Sequence, residues 1–223
     1  MIIAIDGPSG AGKSTVAKAV AKSLGFSCLD TGAMYRAIAV EAIDKGISLD
    51  DEVALGELAA TSDVEFGIEE GNPIPKFVYI NGKDVTDLIR TADIDKAVSP
   101  VSATKSVRVA LLKQQQKIGK SGNFVVEGRD IGTVVFPDAE VKVFLTASPE
   151  ERAHRRVRQN VDRGVGSIDF DYVLQDIIRR DEVDTNRETA PLRAADDAIT
   201  IDSTSHYIED VISEICKLAK NVN

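Results

Sequence analysis

The 223-residue chain contains no tryptophan and only two cysteines, and aromatic residues make up 5% of it. Few aromatic rings leave few platforms on which nucleic-acid bases stack. Cys28 and Cys216 lie in apolar segments and imply no zinc site, so we expect both to be reduced core residues. These scarcities argue against an RNA-binding role and against a metal site built on cysteine.

Positive charge is also scarce, because the chain has 27 lysines and arginines but 36 acidic residues, which gives a formal net charge of −9. General binding of nucleic acids or anionic membranes relies on a broad basic surface, which this composition argues against. The chain has no apolar run of 18 residues, and its first ten residues lack the basic start and long apolar stretch of a signal peptide. We therefore expect a soluble, cytoplasmic protein that binds neither nucleic-acid polymers nor membranes and holds any anionic substrate with a local cluster.

Residues 7–14 fit the pattern Gly-x-x-x-x-Gly-Lys-Ser/Thr, between an apolar β-branched run and apolar residues at helical spacing. Such glycines permit tight turns that aim backbone N–H groups at an anion, and the helix N-terminus adds partial positive charge. Lys13 would contact the β- and γ-phosphates of a nucleoside triphosphate, and the Ser14 hydroxyl would ligate Mg²⁺. The alternative, a glycine-rich turn with an exposed lysine, explains neither the context nor all the fixed positions. The expected nucleotide-binding residues are Gly7, Pro8, Ser9, Gly10, Ala11, Gly12, Lys13, Ser14 and Thr15.

Apolar strand candidates alternate with helical patterns along the chain. The candidates are residues 1–6, 27–30, 124–127, 141–146 and 198–202. This alternation predicts an α/β fold, a five-stranded parallel sheet with helices on both faces. Ligands of such sheets bind outside the carboxyl ends of the strands, so we expect the glycine loop, residues 30–32 and residues 127–130 to share one rim.

Residues 63–91 depart from this rhythm, because their apolar residues alternate with period two. Asn81-Gly82 between two such runs is a strong hairpin signal. We therefore expect a small antiparallel insertion flanked by helices, with residues 71–75 as a loop.

Arginine is concentrated near the end of the chain, where nine of the 13 arginines lie between residues 152 and 193 without a single lysine. The guanidinium fork binds phosphate oxygens bidentately and stays charged when desolvated. Five of these arginines precede Gly164-Val165-Gly166, as in a mobile flap with glycine hinges. The alternative, a basic helix paired with neighbouring acids, stays open for about half of them. The five are Arg152, Arg155, Arg156, Arg158 and Arg163.

Arg180, Asp184 and Arg187 fall at i, i+4 and i+7 of a helical segment and share one face. A carboxylate between two arginines suits a ribose hydroxyl next to a phosphate. An i,i+4 ion-pair ladder would have the same spacing, so spacing alone favours neither interpretation.

Several motifs together resemble those of the bacterial cytidylate kinase family, over nearly the whole chain. The glycine loop is shared by many NTPases, whereas Asp-Thr-Gly-Ala-Met-Tyr-Arg at 30–36 and Gly-Arg-Asp-Ile-Gly-Thr at 128–133 are specific to this family. Glu151-Arg152-Ala153-His154-Arg155-Arg156 and the segment 180–187 complete the resemblance. The antiparallel insertion at 63–91 also distinguishes this family from short adenylate-kinase-like relatives.

The resemblance implies transfer of the γ-phosphoryl group of MgATP to CMP or dCMP. It implies that Ser99, Arg108 and Asp130 recognise cytosine and that Ser14 and Glu127, the latter through water, hold Mg²⁺. The residues expected to contact the CMP are Thr31, Arg36, Ser99, Arg108, Arg129, Asp130, Arg180, Asp184 and Arg187. The expected catalytic residues are Lys13, Arg129, Arg155, Arg156 and Arg187.

The resemblance also implies one kinase domain in three parts. These are a core at 1–32, 97–150 and 168–223, an acceptor-binding arm at 33–96, and a lid at 151–167. We expect a monomer, since no long apolar stripe demands a partner. His154 and His206 are given no catalytic role, because a phosphate acceptor needs no general base.

Two classes of alternative function were weighed. A small-metabolite, adenylate or uridylate kinase would share the glycine loop and the arginine-rich flap, but it need not combine Ser99, Arg108 and Asp130. A nucleotide-gated switch should carry a guanine-reading Asn-Lys-x-Asp box, which the sequence lacks.

Overall fold

The computed structural model describes residues 1–69, 72 and 74–222. The strands are β1 (Ile2–Asp6), β2 (Ser27–Asp30), β3 (Val64–Ile68), β4 (Pro75–Ile80), β5 (Lys83–Asp84), β6 (Phe124–Gly128), β7 (Val141–Thr146) and β8 (Ile199–Asp202). Five of them form a parallel sheet in the order β2-β6-β1-β7-β8, and three form an antiparallel sheet in the order β3-β4-β5. The expected five-stranded parallel sheet is confirmed, and each strand bound lies within one residue of its prediction.

Helices cover both faces of the parallel sheet. They are α1 (Lys13–Leu24), α2 (Thr31–Asp44), α3 (Glu52–Thr61), α4 (Ala92–Ala103), α5 (Lys105–Gly119), α6 (Pro149–Arg163), α7 (Phe170–Asn186) and α8 (Ile208–Asn221). Side chains alternate across the sheet, so Ile3 and Ile5 of β1 pack with α1 and α8, whereas Ala4 packs on the opposite face with α2 and α5. Burying both faces explains why the central strands are apolar throughout.

The antiparallel sheet confirms the insertion expected at 63–91. Its β4–β5 hairpin turns at Asn81 and Gly82, where φ is 51° and 77°, as a two-residue hairpin turn with left-handed backbone requires. Of the loop expected at 71–75, residues 71 and 73 lie outside the described residues. Its last residue, Pro75, begins β4 rather than belonging to the loop.

Helices α6 and α7 pack on each other around a small apolar cluster of their own, formed by Ala153, Val173 and Ile177. Helix α6 ends at Arg163 and is capped by Gly164, whose left-handed backbone, with φ of 65°, favours glycine. Cys28 is buried and Cys216 half-buried, and both are free thiols beside the cluster of α1 and α8, as expected. Within the described part of the chain, no helix is long and apolar enough to cross a membrane.

Candidate active site

The carboxyl ends of β1, β2 and β6 are in register, with Asp6 beside Gly128 and Asp30 beside Glu127. These ends open into a cavity of about 740 Å³ between the glycine loop, α2, α4, α6 and α7. The rim predicted from the sequence is therefore present. The predicted site residues that line it are Ser9, Gly10, Ala11, Gly12, Lys13, Ser14, Thr15, Thr31, Arg36, Ser99, Arg108, Glu127, Arg129, Asp130, Arg155, Arg156, Arg180, Asp184 and Arg187.

Gly7 and Pro8 do not line the cavity but shape the loop from behind. Gly7 has φ of 149°, and a Cβ there would lie 2.0 Å from the Leu145 carbonyl oxygen, so only glycine fits. The Pro8 carbonyl accepts a 2.7 Å hydrogen bond from Lys13 Nζ. Gly12, with φ of 93°, precedes the first turn of α1 and presents that helix N-terminus to the cavity.

Lys13 and Glu127 are both buried at the rim, and each affects the pKa of the other. Burial and the Arg129 charge lower the pKa of Lys13, although Glu127 opposes them. Burial and the Asp30 carboxylate raise the pKa of Glu127, against the effects of Lys13 and the Ser14 hydroxyl. Burial therefore makes the charged form of each group less favourable than it is in water.

The Oε1 atom of Glu127 is buried and has no hydrogen-bond partner among the described residues. An unpaired carboxylate oxygen near the Ser14 hydroxyl fits a hard, oxygen-seeking cation such as Mg²⁺. The described residues contain no group of three His, Cys, Asp or Glu side chains that could hold a metal alone. Magnesium typically takes one or two protein ligands and completes its shell with phosphates and water, so the site suits that ion.

Arg108 and Asp130 form a buried ion pair, with Arg108 Nη2 2.5 Å from Asp130 Oδ2. Two further contacts fix Arg108: its Nη1 donates to the Ser102 carbonyl at 3.0 Å, and its guanidinium carbon lies 5.3 Å from the Tyr35 ring centroid. Arg187 Nη2 lies 3.7 Å from the other oxygen of Asp130. The cavity thus contains a rigid group of donors and an acceptor suited to a polar planar ligand.

Asp6 fixes the loop that carries Asp130. Its two carboxylate oxygens accept hydrogen bonds from the backbone N–H groups of Ile131 and Gly132, both at 2.7 Å. Burial raises the pKa of Asp6 to about 6, and these two hydrogen bonds oppose that shift. One aspartate therefore joins the strand before the glycine loop to the loop that holds the Arg108 partner.

Arg180 and Asp184 lie on α7, whereas Arg187 follows the last residue of the helix with extended backbone, and their ion pairs differ from a simple ladder. Asp184 pairs with Arg187 at 3.4 Å and with Arg129 at 2.9 Å. Arg180 does not pair with Asp184 but lies 2.9 Å from Asp176. Arg187 Nε also donates to the carbonyl of Ala190 at 2.7 Å.

Thr31 and Ser99 flank the same cavity. The Thr31 hydroxyl donates to the Glu127 carbonyl at 2.7 Å, which links α2 to β6 and leaves the hydroxyl oxygen as an acceptor. Ser99 lies on the cavity side of α4.

Comparisons with known proteins show the family of the chain. The family model for cytidylate kinase matches residues 3–221. The chain belongs to the cytidylate kinase family. It is 48% identical over 223 residues to a cytidylate kinase of Carboxydothermus hydrogenoformans, covering 100% of this chain and 99% of the relative. It is 47% identical over 214 residues to a cytidylate kinase of Bacillus subtilis, covering 96% of this chain and 93% of the relative.

Solved structures support the fold alone. An uncharacterized protein from Eubacterium ventriosum superimposes with a TM-score of 0.53 at 14% identity, covering 99% of this chain and 98% of that one.

In this member of the cytidylate kinase family, the α6 arginines divide between two roles. Arg152 is buried and supports the glycine loop, since it donates to the Ser9 carbonyl at 3.1 Å and pairs with Asp181 at 2.7 Å. The alternative interpretation, a basic helix paired with neighbouring acids, fits Arg152 and also Arg155, which pairs with Glu151 at 2.9 Å. Arg155 donates to the Ser203 carbonyl at 2.7 Å, and Arg156 pairs with Asp95 at 2.6 Å, both beside the cavity.

Among the cavity-lining residues that the sequence analysis did not assign to the site are Asp95, Ser203 and His206. No motif marks the first two, since each is a single polar residue in an ordinary segment. His206 was considered and given no role, yet it lines the cavity. His154 is exposed, as expected, and stacks on Phe170 with ring centroids 4.4 Å apart.

Proposed function

We propose that the chain transfers the γ-phosphoryl group of MgATP to the α-phosphate of CMP or dCMP, giving CDP or dCDP and ADP. The observation that carries the proposal is a single cavity lined both by a triphosphate-binding glycine loop and by the buried Arg108–Asp130 pair. Membership of the cytidylate kinase family supports the same activity.

Cytosine suits the Arg108–Asp130 pair. Asp130 would accept a hydrogen bond from the exocyclic 4-amino group, while Arg108 and Ser99 would donate to O2 and N3. Uracil presents the opposite pattern at N3 and O4, so it would leave buried groups unpaired, which is costly. We therefore assign base recognition to Ser99, Arg108 and Asp130.

The chemistry needs no general base, because the acceptor phosphate is already an anionic nucleophile. Catalysis then depends on in-line alignment and on neutralising the charge that spreads over the transferred group. We assign the acceptor phosphate to Arg36, Arg129 and Arg187, and the ribose to Arg180 and Asp184. Lys13 would contact the donor phosphates, with Arg155 and Arg156 of the lid alongside the transferred group.

The residues that would hold magnesium are Ser14, through its hydroxyl, and Glu127, through a water molecule. The ion supplies charge neutralisation at the β- and γ-phosphate oxygens when bound. Glu127 would stabilise the ion, because its carboxylate is buried and would gain a positive partner there. The charge of the ion would favour the ionised carboxylate and so offset the effect of burial on the Glu127 pKa.

We propose further that the protein is a cytoplasmic monomer that binds neither nucleic-acid polymers nor membranes. Its net charge of −9 supports this, since polyanions and anionic lipid surfaces would be repelled. Positive charge is instead concentrated inside the cavity.

The function is tested by a coupled ADP-release assay of the wild-type protein with CMP, dCMP, UMP, AMP and GMP as acceptors. We expect turnover with CMP and dCMP and at least about 100-fold lower kcat/KM with UMP, as for a site built to pair one pattern of donors and acceptors. Absence of turnover with all five acceptors would contradict the kinase assignment. Preference for AMP or UMP would contradict the base assignment alone.

Closure of the lid is a second expected result. Helix α6 is followed by Gly164 and Gly166, both with positive φ, which supports movement of 151–167 as a unit. ATP and CMP together should protect residues 152–166 from hydrogen exchange more than either nucleotide does alone. Equal exchange in all three liganded states would contradict the division into core, arm and lid.

A further inference from the structure

Asp95, in the first turn of α4, contacts arginines of three other helices, two through its carboxylate and one through its backbone carbonyl. Arg36 Nη2 of α2 lies 2.6 Å from its Oδ1, and Arg156 Nη2 of α6 lies 2.6 Å from its Oδ2. Arg180 Nη2 of α7 donates to the Asp95 backbone carbonyl at 2.6 Å. The side chain thus joins the predicted arm to the predicted lid at the wall of the cavity.

Positive charge around Asp95 exceeds what one carboxylate neutralises. Arg163 belongs to the same cluster: burial and the charges of Arg90 and Arg156 lower its pKa, although Asp95 opposes them. Burial alone would raise the pKa of Asp95, but Arg36 and Arg156 outweigh it and lower the pKa, so the side chain stays ionised. The surplus suits a phosphate dianion in the adjoining cavity.

The guanidinium groups retain free donors for such an anion. An arginine has five N–H donors. Arg36 uses its Nη2 for Asp95 and its Nη1 for the Ile89 carbonyl, at 3.1 Å, and Arg156 uses its Nη2 for Asp95 and its Nη1 for Gln159, at 3.0 Å. Each therefore keeps N–H groups in reach of the cavity while Asp95 fixes its orientation.

On the basis of the proposed phosphoryl transfer, we propose that Asp95 is a positioning residue that aligns Arg36 with Arg156, so that both meet the group in transfer. Asp95 would not touch the nucleotides. Its two carboxylate oxygens hold one arginine each, which fixes the spacing between a guanidinium of the arm and one of the lid. Preorganised cations cost no reorganisation during reaction, so they favour the transition state over the bound substrate.

The test compares Asp95→Asn and Asp95→Glu with the wild type. The control is Asp93→Asn, because Asp93 lies in the same turn of α4 and is exposed. Asparagine keeps the shape but removes the charge, so we expect kcat for CMP phosphorylation to fall at least about tenfold. The KM for CMP should stay constant or fall, because the site becomes more positive. Asp95→Glu should restore most of kcat, and Asp93→Asn should match the wild type.

A double-mutant comparison examines whether Asp95 acts through Arg156. Asp95→Asn combined with Arg156→Gln should lower kcat by less than the product of the two single effects, because the contact between the two side chains is lost in both single variants. The double variant also removes one of the unpaired arginines, so it keeps the test available if Asp95→Asn alone does not fold. Fully multiplicative losses of kcat in the double variant would show that Asp95 and Arg156 act independently and would overturn the proposal.

Two other results would also overturn it. If Asp95→Asn turns over as fast as the wild type or faster, the ion pairs have no role or act as an inhibitory latch. If it raises the KM for CMP, lowers the melting temperature and is not rescued by glutamate, Asp95 is merely structural. Failure of the proposed function is distinct, since the wild-type protein itself would then not phosphorylate CMP.

Discussion

Replacement of Lys13 by alanine is expected to lower kcat at least about 100-fold, as loss of one preorganised stabiliser of transition-state charge does. Lys13 lies at the end of the glycine loop, buried beside Glu127, and no other lysine lines the cavity described here. Its ammonium group would balance the charge that develops between the donor phosphates. The variant leaves Arg108 and Asp130 untouched, so binding of CMP should change little in calorimetric titration.

The matched control for this variant is Lys18→Ala, because Lys18 is exposed one turn further along α1 and outside this cavity. Lys13→Met keeps more of the buried volume and removes only the charge, which separates catalysis from packing. Both Lys13 variants should lose turnover while Lys18→Ala keeps it. Turnover near the wild-type rate in Lys13→Met would show that the glycine loop is not the site of transfer.

Much of the fold was predictable because its signals are local. The apolar runs, the glycine loop and the Asn81-Gly82 turn each depend on a few adjacent residues, and the structure confirms all three. The start of β4 was less predictable. Pro75 lacks an N–H donor and reads as part of a loop, yet a proline is tolerated at the first residue of a strand.

The site was less accessible to local patterns, because its contacts join distant parts of the chain. Asp6 binds the backbone of Ile131, 125 residues away, and Asp95 binds Arg156, 61 residues away. Neither aspartate carries a spacing signal, since each meets its partners only after the sheet and helices are packed. Spacing did place Arg180 and Asp184 on one face, but it did not reveal that Arg180 turns to Asp176.

The residues assigned to base recognition show a second limit of prediction from the sequence. Ser99, Arg108 and Asp130 lie on α4, α5 and the loop after β6, and no single pattern links them. They were proposed only from the resemblance to the cytidylate kinase family. The structure brings Arg108 and Asp130 into contact and lines one cavity with all three, whereas their contacts with a base stay a prediction.

Base recognition and phosphate recognition are expected to respond differently to mutation. Asp130→Ala should reduce kcat/KM for CMP, because it removes the acceptor for the cytosine amino group. The ratio of kcat/KM for CMP to kcat/KM for UMP should fall at least about tenfold. Asp130→Asn should narrow the ratio with less disturbance of Arg108, since an amide either accepts from cytosine or donates to uracil O4. Arg187→Ala should lower kcat/KM for CMP and for UMP by similar factors, because both nucleotides carry the same phosphate dianion.

The measurement is kcat/KM for CMP and UMP in each variant, with Arg193→Ala as the control because Arg193 is an exposed arginine outside the cavity. Arg187 also lies 3.7 Å from Asp130, so a small change in the ratio is expected when it is removed. The decisive comparison is therefore the relative size of the two changes in selectivity. If Asp130→Ala loses activity equally with both acceptors, or if Arg187→Ala alters the ratio more than Asp130→Ala does, the two roles are wrongly assigned even though the kinase activity stands.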